Sequence, residues 1–458
     1  MAAGLQVGTA RVDITPPLAV PYLGYEPRQA PFAGVHDPLT ARALVADDGS
    51  GPVALLCLDA IGLSSRILGP DRHFRDEVCQ AVQAAAGIAV ERVMLAASHA
   101  HSTPETLDLT PLYEVPEAVA WLDDLIGRLA QVTALAASRQ RPARLKQGRG
   151  ELAHMAANRR QLRADGSLWE PARGPSALAV HRPGPLDPEV GVVLVEWYDG
   201  TFALLANYTC HPVSVQVQPL VSADYPGAAC RLVEHAIPQC RHCLFTQGAA
   251  GDVNPRAGGH CPDFGAVARY GQMLGGELLK VAAQVRGDDV PAMPDVADAA
   301  LVHLVLPPRE LPDDAPLRRE RVAAEAAVSA ATDTAAAAAA AARRRAAAET
   351  LRAWDLVQRP MRVPVQVLRL GDVALVGCPG ELFVQLGLEI KAQAAAPRAL
   401  VVGYANDYAG YLSTPTAFLE GGYETRLGPW SQVGAAGGRQ VVDAALALVH
   451  RLWVGRSA

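Results

Sequence analysis

His99 and His101 stand one residue apart at the end of an apolar run, in ERVMLAASHAHSTPE. The run 93–97 is short and is followed by a Ser/His/Thr/Pro cluster, which reads as a buried strand leaving a sheet rather than as a helix. Side chains alternate along a strand, so His99 and His101 are expected to point to the same side. Two neutral imidazoles converging at a strand end suit a metal ion, zinc above all. A lone His-x-His is more commonly a pair of solvated loop histidines, so the reading depends on what else the chain brings to that place.

Four further stretches leave a probable strand through a sharp turn and reach a polar residue. FALLANYTCHPVS ends on His211 before a proline, and CLFTQGAAGDVNPR leads to Asp252 and Asn254. VALVGCPGELFVQLG reaches Glu381 at the start of a helix, and VVGYANDYAGYLSTP carries Asn406, Asp407, Tyr408 and Tyr411. Taken singly, Glu381 could be a helix N-terminal acid, Asp252 a turn residue and Tyr411 a core aromatic. Repeated five times, the pattern is that of an α/β enzyme gathering its catalytic groups at one rim of a sheet.

The elements that must position these residues alternate along the chain. Strands are expected at 53–58, 93–97, 190–197, 202–207, 243–247, 363–370, 373–377 and 399–403, and helices at 71–86, 116–138, 226–236, 264–285, 383–396 and 434–454. This predicts an α/β fold, with mixed β-sheets flanked by helices, as a single large catalytic domain over 1–458. The segment 314–358 differs: it is rich in Ala, Arg and Glu, holds the alanine run 335–342 and lacks an apolar stripe. Alanine is the best helix former, so an inserted long helix or helical hairpin is expected, with the arginines at 343–345 on a solvated face.

The 458 residues are half hydrophobic, enough for a substantial core, and carry a net charge of -6. That charge and the lack of a basic patch argue against a nucleic-acid partner. No run of about 18 apolar residues occurs, so stable membrane insertion is not expected. The start, MAAGLQVGTARVDITPP, has no basic segment followed by an apolar one, which predicts a cytoplasmic protein. Eight cysteines are too sparse for a disulfide scaffold. Cys57, Cys79, Cys210, Cys230 and Cys378 read as small buried hydrophobes. Cys240 and Cys243 in QCRHC, with His260 and Cys261 downstream, could form a zinc site or a redox pair, but Cys243 enters a strand and the two thiols are expected to diverge.

The motifs VGTARVDITPP, SHAHSTPE, NYTCHPVS, QGAAGDVNP and PGEL, in this order, resemble the neutral/alkaline non-lysosomal ceramidase family, zinc-dependent amidases that split ceramide. The resemblance spans nearly the whole chain apart from the alanine-rich segment. It implies Zn2+ held by His99, His211, Glu381 and a tyrosine, Tyr411 by its place at the end of the motif, with Tyr408 the neighbouring choice. It implies metal-assisted hydrolysis of a carboxamide, with His101 as a candidate proton shuttle or a hydrogen-bond partner of the metal ligands, and Tyr411 as a stabiliser of the oxyanion. Arg159, in ANRR, falls where the family has an Asn-Arg motif near the substrate carbonyl; its alternative is a surface arginine. Asp252 is a structural or base candidate. Asn254 departs from the family, which has a serine there, and an amide cannot act as a hydroxyl nucleophile. The family's larger members also continue into an immunoglobulin-like domain and begin with a secretory leader, neither of which is expected here. The expected partner is therefore a small-molecule N-acyl or other carbonyl substrate, smaller than ceramide. The competing readings are a zinc esterase or lactonase, and a non-catalytic relative that binds a ligand.

Overall fold

Alternate residues of the long strands face two different cores, and this alternation stacks the chain in four layers. The computed structural model describes residues 4–22, 30–169, 180–216, 218–256, 263–287, 289–311, 313–358 and 361–455. Eight strands form the larger sheet: β1 (Gln6–Asp13), β2 (Thr40–Asp47), β3 (Val53–Leu58), β4 (Val93–Ala97), β5 (Arg141–Glu151), β6 (Glu189–Trp197), β7 (Phe202–Tyr208) and β8 (Cys240–Gln247). Their order is β8-β7-β6-β5-β1-β2-β3-β4. The second sheet, β9 (Ala297–Leu306), β10 (Met361–Leu370), β11 (Val373–Gly377) and β12 (Arg398–Val402), runs in sequence order. Three neighbouring pairs are parallel, β3 with β4, β7 with β8 and β11 with β12, and the other pairs are antiparallel.

One face of each sheet meets the other sheet. Leu44, Leu55, Met94, Val193, Leu205 and Leu244 of the first share a core with Leu368, Leu375 and Leu400 of the second. The opposite faces are covered by helices. Helices α1 (Phe74–Ala86) and α2 (Pro116–Ser138) lie over β2–β4, and α3 (Asp224–Ala236) and α4 (Phe264–Val285) over β6–β8. The outer face of the second sheet packs against α7 (Val384–Gln393) and α8 (Gly437–Trp453). Strands buried on both faces are apolar throughout, which is why β3, β4, β7 and β11 read as unbroken apolar runs. The α/β expectation with mixed, helix-flanked sheets holds.

Four strands of the two large sheets escaped the sequence reading. β5 (RPARLKQGRGE) is charged at alternate positions and carries Gly148 and Gly150. Those glycines are the reason it can lie under α4: a Cβ at Gly148 would come within 2.3 Å of Val285. Glycine lowers strand propensity while permitting this close approach. β1, β2 and β9 are interrupted by alanines and charges, and pairing with neighbours rather than local pattern makes them strands.

The alanine-rich segment forms helices α5 (Ala315–Ala330) and α6 (Thr334–Val357). The Asp333 side chain accepts from the Ala336 amide at the start of α6, and Arg343 pairs with Glu320 across the two helices at 2.8 Å. Toward its end α6 buries Leu351, Ala353 and Val357 and donates from Arg352 to Asp108 at 2.9 Å. No helix among the described residues is long and apolar enough to cross a membrane.

His242 on β8 accounts for one acid-sensitive contact. Its Nδ1 lies 2.8 Å from Thr9 Oγ1 on β1. Burial first, then the nearby Arg11, Arg42, Arg139 and Arg241, lowers its pKa to about 4. The unfolded chain therefore takes up this proton at a higher pH than the folded one. The associated stability is complete above the ordinary histidine pKa and is lost as pH falls from about 6.5 towards 4. Urea unfolding should show wild type losing about 2–3 kcal/mol more than His242→Gln between pH 7 and pH 4. Parallel pH dependence of the two proteins would remove His242 from this role.

Candidate metal centre

The carboxyl ends of the three parallel strand pairs meet, and backbone hydrogen bonds stitch the turns that leave them. Ala97 N–H donates to Tyr404 O, Gly403 N–H to Gln247 O, His211 N–H to Val253 O, and Gly251 N–H to Leu382 O. The rim so formed carries His99 and His101 after β4, His211 after β7, Asp252 after β8, Glu381 after β11, and the tyrosines after β12.

His99 is not on a strand. β4 stops at Ala97, and His99 has φ 67°, left-handed backbone that a non-glycine residue rarely adopts. Strand alternation is therefore not what unites the two histidines, contrary to the expectation. The turn itself folds them together, with Nε2 of His101 3.1 Å from Nε2 of His99. The left-handed backbone is held by His99 N–H donating to Ala60 O and by Tyr404 stacking on the ring at 3.8 Å. Tyr404 and Asn406 have positive φ as well, so strain collects at this rim.

Two carbonyl oxygens fix the imidazole tautomers. His99 Nδ1 donates to Ile61 O at 2.5 Å and His211 Nδ1 to Ala250 O at 2.6 Å, because a carbonyl can only accept. Both Nε2 lone pairs then face inward. Burial holds His99 well below its ordinary pKa and, with the charge of Arg159, takes His211 down to about 3, so both rings are neutral.

Glu381 completes the convergence. The chain reaches it through Gly380 at φ 145°, where a Cβ would lie 2.5 Å from the Gly410 carbonyl, so only glycine allows this approach. Glu381 Oε2 stands 3.1 Å from His211 Nε2 and 3.6 Å from His99 Nε2. It is buried and finds no hydrogen-bond donor among the described residues. Two neutral imidazole lone pairs and a carboxylate oxygen thus face one another, and His101 Nε2, which is placed to donate, reaches His99 Nε2 and leaves Glu381 Oε2 without a proton. That arrangement is repulsive until a cation lies between them, and a nitrogen/oxygen donor set of this kind fits zinc. The nitrogens of His99, His101 and His211 also lie within 4.8 Å of one another, a grouping that could hold a metal ion.

The two tyrosines have distinct partners. Tyr408 donates its hydroxyl to Glu381 Oε1 at 2.7 Å, which orients the carboxylate. Tyr411 lies directly opposite Glu381 in the short parallel pair of Glu381–Leu382 with Tyr411–Leu412, and its hydroxyl accepts from Arg159 Nη2 at 2.8 Å. Arg159 is not a surface arginine. Its other donors reach Glu424 Oε1 at 2.8 Å, Gly251 O at 2.6 Å and Asn254 Oδ1 at 3.2 Å. Asp252 accepts from the Val384 amide at the start of α7 and from Asn158 Nδ2, both at 2.8 Å, so it braces the rim. Burial pushes its carboxyl up to about 6.

Glu424 and Tyr404 were missed by the sequence reading. Glu424 lies in a glycine-bearing loop, GGYETR, with no strand before it, and the adjacent pair Arg159-Arg160, which needs a counter-charge once it leaves water, does not point to it. Cys240 and Cys243 both lie in β8 as buried free thiols, and among the described residues no metal-binding group includes them. His260 and Cys261 lie outside the described residues.

The family "Neutral/alkaline non-lysosomal ceramidase, N-terminal" matches residues 5–284. The neutral ceramidase of Pseudomonas aeruginosa is 24% identical over 98% of this chain and 73% of its own length. That of Mycobacterium tuberculosis is 25% identical over 93% of this chain and 74% of its own. A structure described as a ceramidase complexed with C2 superimposes with a TM-score of 0.71 at 20% identity, over 98% of this chain and 75% of that one. The crystal structure of the Pseudomonas aeruginosa enzyme gives 0.69 at 23%, over 99% and 76%. At these identities the superpositions establish the fold, and the match over residues 5–284 establishes descent: the chain belongs to the neutral/alkaline non-lysosomal ceramidase family.

Proposed function

We propose that this protein is a zinc-dependent amidohydrolase that cleaves the carboxamide bond of an N-acyl compound smaller than ceramide. The observation that carries the reading is the convergence of His99 Nε2, His211 Nε2 and Glu381 Oε2, with no hydrogen-bond donor to the carboxylate oxygen among the described residues. Membership of a family whose named relatives are neutral ceramidases supports it. His99, His211 and Glu381 would hold the ion, with Tyr411 as the fourth ligand and Tyr408 orienting Glu381. When bound, the ion would supply Lewis-acid polarisation of the scissile carbonyl and of the attacking water.

The remaining work falls to the chain. His101, the most exposed of the three histidines at 8%, is placed to carry a proton between the reacting atoms and solvent. Arg159 holds the Tyr411 hydroxyl, which is then fixed where an oxyanion would develop. Asp252 keeps the Gly251 turn seated on α7. The loop that follows His101 carries buried Asp108, which pairs with Arg66 at 3.3 Å and with Arg352 of α6 at 2.9 Å and so ties that loop to the alanine-rich helices.

Elemental mass spectrometry on protein purified without added metal should find about one zinc per chain. Para-nitroanilides of short fatty acids should be hydrolysed, with turnover abolished by chelation and restored by zinc. Turnover of the matched para-nitrophenyl esters alone would replace the amidase assignment with an esterase. Absence of metal uptake together with absence of turnover would reduce the family relationship to one of fold.

A further inference from the structure

Two adjacent arginines beside the histidine cluster, Arg159 half-buried and Arg160 buried, share one carboxylate. Glu424, 1% exposed, accepts from Arg159 Nε at 2.8 Å through one oxygen and from Arg160 Nη1 at 2.6 Å through the other. Burial opposes its charge, yet the two guanidiniums hold its carboxyl below the usual range. Arg160 is engaged away from the centre, donating from Nη2 to Gly421 O at 2.8 Å and lying 3.3 Å from Glu420.

Arg159 is turned the other way. With Nε fixed by Glu424, Nη2 is directed to Gly251 O and to the Tyr411 hydroxyl, and Nη1 to Asn254 Oδ1. A guanidinium has five N–H groups in one plane. Four of those of Arg159 already have acceptors, so an incoming carboxylate would find one, where a bidentate grip needs two in parallel. The charge of Arg159 is likewise matched within the protein by Glu424.

We propose that Glu424 is a positioning residue: it withholds Arg159 from carboxylate recognition and fixes it as the support of the Tyr411 hydroxyl, matching the site to an uncharged acyl group. This rests on the hydrolase reading above. Arginine has many rotamers, and a guanidinium left without its Nε partner would swing from Tyr411 or turn its charge to an anion in the site. Glu424 then acts on the reaction only through Arg159 and Tyr411, which distinguishes it from a residue that merely holds the loop.

The test compares wild type with Glu424→Gln, Tyr411→Phe and the double variant, using hexanoyl para-nitroanilide as substrate and hexanoate as the anionic probe. Glu424→Gln should lower kcat by about tenfold or more while KM and zinc per chain stay within about twofold. In the Tyr411→Phe background the same change should cost less than about threefold, because the two residues lie on one path. Hexanoate, titrated by calorimetry, should bind Glu424→Gln about tenfold more tightly than wild type, since the charge of Arg159 is then unmatched. Additive losses in the double variant, unchanged hexanoate affinity, or loss of zinc from Glu424→Gln would each overturn the proposal. If Glu424→Gln fails to fold, Glu424→Asp keeps the charge but shortens its reach. That variant should lose kcat and still bind hexanoate as weakly as wild type, and wild-type kcat would overturn the proposal. Failure of the hydrolase reading is recognised separately, as a wild type with no turnover, and the calorimetric comparison still decides the role of Glu424.

Discussion

His211→Ala is expected to give a folded protein that retains no stoichiometric zinc and hydrolyses amides at least roughly a thousandfold more slowly. The ring it loses supplies the Nε2 that stands 3.1 Å from Glu381 Oε2, the closest approach within the donor set. Its removal leaves one imidazole, one carboxylate and the Tyr411 phenol, a set with a single nitrogen donor that is too weak to retain zinc against dilution. The variant also loses the bond from Nδ1 to Ala250 O, which keeps only the Val253 N–H at 3.0 Å, and opens a cavity where the ring lay, so a lower melting temperature should accompany the loss of metal. Glycerol-free protein dialysed against a metal-chelating resin and then measured by elemental mass spectrometry separates the two effects. A His211→Ala protein with one zinc per chain would take His211 out of the ligand set.

His101→Ala should behave in the opposite manner, keeping its zinc while kcat falls by about a hundredfold to ten-thousandfold. His99 and His211 are each pinned by a carbonyl on Nδ1 and presented to Glu381, whereas His101 approaches the cluster through His99, at 3.1 Å between their Nε2 atoms. It is also nearer solvent, as a group exchanging protons with bulk water should be. Zinc content and kcat measured on the same preparation decide the matter. Loss of zinc to the extent seen in His99→Ala would make the three histidines the ligand set, an arrangement their mutual distances permit.

The sequence was most legible where a segment is buried on both sides. The unbroken apolar runs of β3 and β4 were bounded to the residue, since a strand between two apolar layers has no polar face to blur its edges. The polar residues that follow such strands, His99, His211, Asp252 and Glu381, could be picked out for the same reason. Strands shaped by their neighbours were not legible: β5 depends on α4 packing over Gly148, a contact with no local signature. The meeting of His99 with His101 was foreseen for the wrong reason, because left-handed backbone at His99 depends on Tyr404, about three hundred residues away, and not on local pattern. Glu424 was out of reach, as its role is set by two arginines from a distant segment. Which tyrosine touches Glu381 followed from neither spacing nor motif, but from the turn that places Tyr408 on Oε1 and Tyr411 beside Arg159.

Anomalous diffraction from crystals of the protein purified without added metal, recorded on both sides of the zinc absorption edge, would locate the ion. One zinc peak is expected at about 2.0–2.2 Å from Nε2 of His99, Nε2 of His211 and the carboxylate of Glu381. No zinc peak at that position in crystals soaked with zinc, or a peak held instead by other side chains, would contradict that assignment.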